Sequence, residues 1–355
     1  MKKSANVQQK KPGDWYGDKR HLYEALCKSA ASTVENLIRN AGIDYLSITA
    51  RAKSVESFLK KIERKSYKNP QEEITDLAGI RVITFIESDV PKVCDIIRSA
   101  FNVHPTESLD KSTELGIDRF GYRSVHFVCD LGKARIKLPE FAAFDGLVFE
   151  IQVRTILQHA WAEMDHDRNY KFVGVLPTHL QRRLNLLAGM LELADREFAT
   201  LAHEVDAYAQ EVSDKTGAGD LDIEINSTSV MQYLLKKTAS ARNAAIDPFQ
   251  IDEDIIDELR VFGINTLYDL DRILSVELFT AVSQHQKFEN YVGLLRDAMM
   301  NADLDRYFDV AWRQSWDGID DDTIGLLAEK YGKRQVTEIL SNYGVRHLRD
   351  LESSH

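Results

Sequence analysis

The sequence predicts an α+β protein in which a mixed sheet with flanking helices precedes a mostly helical, acidic C-terminal region. Between residues 44 and 171 the predicted elements follow the order strand, helix, strand, helix, strand, strand, helix. A long apolar seam with helical spacing comes next. Charge separates the two parts, because residues 217–355 hold 25 acidic and 14 basic side chains, whereas residues 1–216 hold 31 of each. The net charge of −11 therefore lies entirely in the C-terminal part, whose surface is poorly suited to wrapping nucleic acid.

The composition is typical of a cytoplasmic protein. Hydrophobic residues make up 44% of the chain, which is enough for a sizeable core, and no apolar run is long enough to cross a bilayer. The basic N-terminus lacks the apolar segment of a secretory signal, and the three cysteines lack metal-like spacing. We predict a disordered tail at 1–14, a sheet domain with flanking helices at 15–212, a linker at 213–220 and an acidic, mostly helical region at 221–355.

The individual elements follow from periodicity and capping. Apolar residues recur at helical spacing from Lys19 to Asn40, and Gly42 is suited to end that helix. Ser54 is suited to cap the next helix, which is rich in lysine. Strands are predicted at 44–50, 79–86, 121–130 and 147–153, a further helix at 90–101, and a loop at 103–120.

The long helix that opens at Pro177 carries a continuous apolar seam. From Leu180 to Tyr208 its apolar residues are spaced alternately four and three apart. Such a seam packs against its own domain or pairs with a second copy of the chain, so a homo-oligomer stays possible at this point. Farther on, LRVFGINTLYDL (259–270) and LSNYGVRHLRDL (340–351) form a weak repeat with a glycine turn in each copy. The repeat resembles a helix-hairpin-helix pattern, and its acidic surroundings favour a structural or partner-binding role over nucleic-acid binding.

The candidate chemistry begins with a polar strand face. Glu150, Gln152 and Arg154 alternate with apolar residues, so they project from one side of a strand. His159, Glu163 and His166 follow at helical spacing. Burying such a row without partners is costly, which indicates a cleft that holds something polar. A zinc site at the last three residues is an alternative, although no further ligand completes it.

Two earlier segments could serve the same cleft. The segment RAKSVESFLKKIERK (51–65) places Arg51, Lys53, Ser57 and Lys61 around a helix N-terminus, which suits a polyphosphate, or the helix has an ordinary solvated face. Asp76 stands just before a strand and is suited to Mg²⁺, or it caps a turn and pairs with Arg81.

A third segment, GYRSVHFV (121–128), adds an aromatic and an imidazole. Tyr122, Ser124 and His126 fall on one strand face, with Arg123 between them. Alone this is an ordinary half-exposed strand. If this strand lies beside the strand of Glu150, the two strands and the earlier segments together supply carboxylates, cations and an aromatic ring. Such a group of side chains suits metal-assisted phosphoryl or pyrophosphoryl transfer, which depends on positioning and charge neutralisation.

At this point the sequence resembles a known family. The motifs RAKSVESFLKKI, ITDLAGIRVITF, GYRSVHF and EIQVRTILQHAWAEMDH are similar in order and spacing to the RelA/SpoT synthetase domain, over roughly residues 40–175. The resemblance implies a nucleotidyltransferase-like fold. It also implies transfer of the β,γ-pyrophosphate of ATP to a nucleotide 3′-hydroxyl, which makes ppGpp and pppGpp.

The resemblance also implies roles for individual residues. Asp76 and Glu150 would bind Mg²⁺, and Glu150 would also activate the acceptor hydroxyl. The ATP phosphates would be bound by Arg51, Lys53, Ser57 and Lys61, and the adenine would be flanked by Arg81. Tyr122 would stack on the acceptor base, in a pocket lined by His126 and Gln152. A supporting layer would consist of Arg123, Arg154, His159, Glu163 and His166.

The acceptor is less clearly implied than the donor. Family members that bind guanine nucleotides usually carry a Lys and an Asn shortly before the stacking Tyr, where this sequence has Asp118 and Phe120. GDP or GTP is the expected acceptor, the 3′ end of tRNA is an alternative, and an inactive nucleotide-sensing module is a third. The C-terminal region, which has no catalytic motif, is expected to bind a regulatory partner or to serve assembly.

Overall fold

The structure, a computed structural model, describes residues 11–65, 67–106, 108–110, 124–171, 177–240, 251–274, 291–314 and 316–348, and side chains within 165–171 fall outside that description. The chain forms two compact units, Met1–Ala202 and His203–His355. No helix in these ranges is both long and apolar enough to span a membrane.

The N-terminal unit contains the mixed sheet that the sequence predicts. Its strands are β1 (Tyr45–Ala52), β2 (Ala78–Thr84), β3 (Asn102–Val103), β4 (Leu109–Asp110), β5 (Val125–Asp130) and β6 (Phe149–Thr155). The spatial order is β1-β2-β6-β5-β3, with β4 also paired to β5, and among these pairs β2–β6 is parallel and the others are antiparallel. The predicted α+β class with a mixed sheet is therefore confirmed.

Helices flank this sheet and join its strands. They are α1 (Pro12–Asn40), α2 (Val55–Lys65), α3 (Pro70–Glu73), α4 (Asp89–Ala100), α5 (Gly132–Ile136), a 3₁₀ turn (Ala142–Phe144), α6 (Ile156–Lys171) and α7 (Thr178–Ala218). The division between the two units falls inside α7.

One face of the sheet is apolar and buried. Ile80 and Val82 of β2 alternate with more polar positions, as do Ile151 and Val153 of β6. These side chains pack in one cluster with the buried residues of α1 and α4, among them Leu26, Val34, Val93 and Ile97. Because the side chains of a strand alternate in direction, the same strands present their polar residues on the opposite face.

The C-terminal unit is mostly helical, as predicted, and has a core of its own. Its elements are α8 (Ser227–Ser240), α9 (Glu253–Phe262), α10 (Leu267–Ile273), α11 (Tyr291–Ala302), α12 (Leu304–Arg306), a π-helical turn (Tyr307–Ala311), α13 (Asp321–Tyr331), α14 (Lys333–Tyr343) and the short parallel strands β7 (Gly318–Ile319) and β8 (Arg346–His347).

The glycines of the internal repeat both turn the chain in the left-handed region. Gly263 has φ +102° after α9, and Gly344 has φ +72° after α14. In both copies the residue after the glycine donates its backbone N–H to a carbonyl five residues earlier, at 2.9 Å. This is the Schellman-type ending that glycine favours. The first copy continues into α10, whereas the second continues into β8.

Three predicted boundaries differ from the structure. The predicted linker at 213–220 is helical up to Ala218, because the chain breaks only at Gly219, where φ is +83°. The predicted tail at 1–14 already contains the start of α1, because Pro12 is suited to the first turn of a helix, while residues 1–10 lie outside the described part. The predicted loop at 103–120 contains β4 and the last residue of β3.

Candidate active site

The polar face of the sheet brings together residues from four strands. Arg51 of β1 lies opposite Gly79 of β2, which in turn lies opposite Glu150 of β6. Gly79 has no side chain, and a Cβ there would meet only the backbone oxygen of Arg51 at 3.8 Å, so space is left between the arginine and the carboxylate. The next row across the sheet consists of Thr49, Arg81, Gln152 and His126.

A cleft of about 470 Å³ opens over this face. Its lining combines strands β1, β2 and β6 with the start of α2, and it joins residues that are far apart in the sequence. The lining residues are Thr49, Ala50, Arg51, Ala52, Lys53, Ser54, Ser57, Asp76, Gly79, Ile80, Arg81, Glu150 and Gln152. The sequence pattern missed Thr49, although its place two residues before Arg51 on β1 is a signal that alternation could have used.

Asp76 is the centre of a cationic cluster. Lys53 Nζ and Lys61 Nζ lie 2.9 and 2.8 Å from the same oxygen, Oδ2. Burial acts to raise the pKa of Asp76, but the hydrogen bond from Lys61 and the charge of Lys53 outweigh it and hold this pKa below its usual range. The other oxygen, Oδ1, is buried without a hydrogen-bond partner within the described structure. Asp76 is thus an ionised carboxylate with one free ligand position.

Helix α1 fixes the turn that presents Lys53. The Tyr16 hydroxyl donates to the backbone oxygen of Lys53 at 2.7 Å, and Arg20 Nε donates to the same oxygen at 3.3 Å. The backbone N–H of Lys53 donates to Leu77 O at 2.9 Å. These contacts connect the start of α2 to the strand that follows Asp76, which explains why the two segments meet.

The N-terminus of α2 faces the same cleft. Ser54 caps the helix as predicted, because its Oγ accepts the Ser57 N–H at 3.1 Å and lies 2.8 Å from Ser57 Oγ. The first turn of this helix therefore adds a partial positive charge beside Arg51, Lys53 and Lys61. The predicted grouping of cations and hydroxyls at this helix start is present.

The second carboxylate, Glu150, is held by histidine. Its Oε1 lies 2.5 Å from His126 Nδ1, and His126 Nε2 lies 2.7 Å from Ser124 Oγ. Burial acts to raise the pKa of Glu150, but the hydrogen bond from His126 outweighs it and lowers this pKa below its usual range, although nearby Asp76 opposes this. Glu150 therefore stays ionised at neutral pH.

Arg81 and Arg154 both contact polar side chains near the cleft. Arg81 Nη1 lies 3.0 Å from Glu163 Oε1 on α6, so its alternative pairing with Asp76 is wrong. Arg154 is buried and donates to Gln152 Oε1. Glu163 and Arg154 each contact a side chain that lines the cleft, and their role as a supporting layer stays a prediction.

The alternative zinc site is weakened by these contacts. His159 Nδ1 lies 3.7 Å from Glu163, whose Oε1 is already engaged by Arg81. Burial and the charges of Arg154 and Arg81 lower the pKa of His159. The side chain of His166, on α6, lies outside the described residues, as do Tyr122 and Arg123 entirely. Among the described side chains, no group of three or more His, Cys, Asp or Glu forms a metal-binding cluster.

Beyond the end of β6, a buried acid not singled out from the sequence connects the strand to α7. Thr155 Oγ1 donates to Asp195 Oδ2 at 2.6 Å, and Asp195 Oδ1 is buried without a partner. Burial raises the pKa of Asp195, and the hydrogen bonds from Thr155 and Gln158 only partly offset it. Unlike Asp76, it has no cationic side chain paired with it among the described residues, so this acid is structural in character.

Comparison with known proteins agrees with this site. Residues 50–174 match the family model described as a region found in RelA/SpoT proteins. The chain is 28% identical over 159 residues to GTP pyrophosphokinase YjbM of Bacillus subtilis, covering 44% of this chain and 72% of that protein. It is also 28% identical over 161 residues to GTP pyrophosphokinase YwaC of the same organism, covering 44% and 73%.

A solved structure is also similar. The crystal structure of small alarmone synthetase 1 from Bacillus subtilis bound to its product pppGpp aligns with a TM-score of 0.46 and 25% identity, over 54% of this chain and 99% of that one. The matched segment 50–174 contains both carboxylates, Asp76 and Glu150, the three cations that line the cleft, and Lys61. The predicted resemblance to the RelA/SpoT family is confirmed for residues 50–174, the segment that matches the family model.

Proposed function

We propose that this protein is an ATP-dependent, Mg²⁺-dependent pyrophosphokinase that transfers the β,γ-pyrophosphate of ATP to the 3′-hydroxyl of GDP or GTP, making ppGpp or pppGpp. The observation that carries the proposal is the convergence of two ionised carboxylates and four cations: three of the cations line the cleft, and the fourth, Lys61, binds Asp76. Relatives that cover this segment are named GTP pyrophosphokinases.

The donor side of the cleft suits a polyphosphate. Arg51, Lys53 and Lys61 supply the positive charge that ATP phosphates require, and the α2 N-terminus adds the positive end of its helix dipole. Arg81 presents a flat guanidinium suited to stacking on adenine, and its contact with Glu163 holds it in place. We infer that ATP enters with its phosphates toward α2.

The carboxylates suit a hard cation. Asp76 Oδ1 is a buried oxygen without a partner, and Glu150 is a second ionised carboxylate on the cleft wall. Mg²⁺ prefers one or two carboxylates together with phosphate oxygens, so this donor set fits it. When bound, the ion would neutralise the charge that develops on the transferred phosphoryl groups.

The transfer then has a simple balance of bonds. The acceptor 3′-oxygen attacks the β-phosphorus of ATP, the bond from that phosphorus to the oxygen of the α-phosphate breaks, and AMP leaves with the electron pair. Glu150 accepts a hydrogen bond from the acceptor hydroxyl and receives its proton as the new bond forms. Lys53 and Lys61 neutralise charge on the donor phosphates.

The acceptor is the least determined part of the proposal. Tyr122 is proposed to stack on the acceptor base, with His126 and Gln152 beside it. Asp118 stands four residues before Tyr122, and its negative charge disfavours an acceptor with a 5′-triphosphate. This supports the 3′ end of tRNA as a second candidate acceptor. Regulation by a partner of the C-terminal unit, and self-association through the apolar seam, stay predictions.

One experiment separates these possibilities. The purified full chain is incubated with Mg²⁺ and γ-labelled ATP, and separately with GDP, GTP, ATP and bulk tRNA. Label on GDP or GTP supports the proposal, and label on tRNA supports the second candidate. Nucleotide binding without transfer to any acceptor would mean that the fold serves only as a sensor. A chelator control should abolish transfer and is reversed by added Mg²⁺.

A further inference from the structure

Behind Glu150 lies a hydrogen-bonded chain of three side chains. Ser124 Oγ is 2.7 Å from His126 Nε2, and the other ring nitrogen, Nδ1, is 2.5 Å from Glu150 Oε1. Ser124 and His126 stand two residues apart near the start of β5, which pairs with β6. The order serine, imidazole, carboxylate resembles the arrangement that activates a nucleophilic hydroxyl.

Burial excludes that use of the serine. Ser124 is only 2% exposed, and it does not line the cleft. A hydroxyl that no substrate can reach does not act as a nucleophile. Its effect on any reaction must therefore pass through His126, whose ring lies between it and Glu150.

The hydrogen-bond requirements of the chain decide where the ring proton sits. A buried hydroxyl hydrogen needs an acceptor, and the only contact found for Ser124 Oγ within the described structure is His126 Nε2. If Nε2 carried the proton, both it and the hydroxyl would be donors, and leaving the hydroxyl hydrogen unsatisfied costs roughly 1–3 kcal/mol. At the opposite end, an unprotonated Nδ1 would direct its lone pair at an ionised carboxylate. Both ends therefore require the proton on Nδ1.

We propose that Ser124 is a positioning residue: its hydroxyl donates to Nε2 of His126 and, together with Glu150 at the other nitrogen, fixes the ring with its proton on Nδ1. The fixed ring then holds the Glu150 carboxylate in a single orientation on the cleft wall. The catalytic consequence rests on the proposed function, whereas the position of the proton does not. The hydroxyl thus acts on the reacting groups at a distance of two hydrogen bonds.

The proton position can be measured without any activity. Protein labelled with ¹⁵N-histidine gives separate signals for protonated and unprotonated ring nitrogens, and the His126 signals are identified by their absence from His126→Asn. We expect Nδ1 to be the protonated nitrogen in the parent protein. In Ser124→Ala we expect the Nε2 signal of His126 to shift and broaden, because that nitrogen has lost its donor and the ring is then held only at Nδ1.

Kinetics test the catalytic consequence. In Ser124→Ala we expect kcat to fall about 10-fold, the effect of losing one well-placed hydrogen bond, with the KM for ATP changed less than about 2-fold. Ser124→Thr keeps the hydroxyl and should recover most of the rate. Ser229→Ala is a matched control, since it also removes a buried serine hydroxyl, but one that bonds within the C-terminal unit.

A double substitution of Ser124 and His126 tests most directly whether the serine acts through the histidine ring. The amide nitrogen of His126→Asn takes the place of Nδ1 and can still donate to Glu150, but nothing then reaches Ser124. Adding Ser124→Ala to His126→Asn should therefore cause no further loss in kcat. A further 10-fold loss in the double variant would show that Ser124 acts independently of the ring, and would overturn the proposal.

Two other results would also overturn it. The first is a ¹⁵N spectrum that places the His126 ring proton on Nε2 in the parent protein. The second is an unchanged kcat in the Ser124→Ala variant. Failure of the proposed function looks different, since no acceptor would then be labelled by the parent protein. The ¹⁵N spectrum would still decide the tautomer in that case.

Discussion

The two units each contain a buried carboxylate that meets cations, and the two are satisfied differently. In the C-terminal unit, Glu258 is completely buried, and Arg296 donates to both its oxygens, at 2.7 and 3.0 Å. The Tyr307 hydroxyl adds a third contact to Oε2 at 3.2 Å. In the N-terminal unit, two lysines bind one oxygen of Asp76 and leave the other without a partner.

This difference separates a structural acid from one that can take a ligand. The Glu258 network is closed, since each carboxylate oxygen accepts a hydrogen bond. It therefore stabilises the fold and leaves no oxygen available to bind a ligand. The Asp76 cluster is open, and a buried oxygen without a partner costs free energy that a bound cation would recover. Pairing with cations does not distinguish the two acids, whereas the hydrogen bonds of each oxygen do.

The largest effect on stability is expected from removing the charge of Glu258 from its network with Arg296. Glu258→Gln leaves the Arg296 guanidinium buried without its counter-charge, so the C-terminal unit should lose about 3–5 kcal/mol in free energy of unfolding. Urea unfolding followed by circular dichroism measures this loss. Glu253→Gln, on an exposed position of the same helix, is the control and should stay within about 0.5 kcal/mol of the parent. Equal losses in both variants would show that the network is not special.

Removing one acid from the open site should affect turnover instead of folding. We expect Glu150→Gln to lower kcat by about 100- to 1000-fold, since the amide can neither hold a cation as well nor take the acceptor proton. The melting temperature should stay close to that of the parent protein, because the amide can still accept from His126. Substantial turnover in this variant, with any acceptor, contradicts the assigned role of Glu150.

The acceptor side of the cleft should respond separately from the donor side. Tyr122→Ala should weaken acceptor binding by about 1–3 kcal/mol, the usual contribution of stacking on a base. ATP binding, measured by calorimetry without acceptor, should be nearly unchanged. If ATP affinity falls as much as acceptor affinity, the division of the cleft into donor and acceptor sides is wrong.

The smallest effect is expected at the third buried acid. The pKa of Asp195 is raised by burial, so its contribution to stability is present below pH 4 and is lost as the pH rises through the folded-state value. Asp195→Asn removes this loss and should stabilise the protein by about 1 kcal/mol at pH 7. The gain in melting temperature over the parent should shrink between pH 7 and pH 4. A constant difference over that range would mean that Asp195 does not titrate as described.

Periodicity predicted the main strands because each has one buried face. Glu150, Gln152 and Arg154 were placed correctly on one side of β6, and Ser54 was placed correctly as a cap, since both inferences use neighbours within a few residues. The short strands β3 and β4 were missed because two residues carry no period and are defined only by their partners in the sheet.

Contacts between distant segments were beyond such reasoning. The sequence offered Arg81 as a partner for Asp76, whereas the structure pairs Asp76 with Lys53 and Lys61 and gives Arg81 to Glu163. Which cation reaches which acid depends on how α2 and α6 cross the sheet. The helix beyond Ser213 was mistaken for a linker because two glycines follow closely, although only Gly219 has the backbone angle that breaks a helix.

The parallel pairing of β2 with β6 has a consequence for folding kinetics. The elements α4, β3, β4, β5 and α5 lie between these two neighbours in the sequence, so the pairing that brings Asp76 near Glu150 closes a long loop. Non-local parallel pairing of this kind is slow to form, whereas helical regions such as the C-terminal unit gain most contacts locally. During synthesis, a nascent chain whose β6 has not yet left the ribosome contains the basic helix α2 and Asp76, but Glu150 is not yet available to fold. The complete cleft therefore forms only after β6 has been synthesised, and a chain interrupted before β6 would lack Glu150.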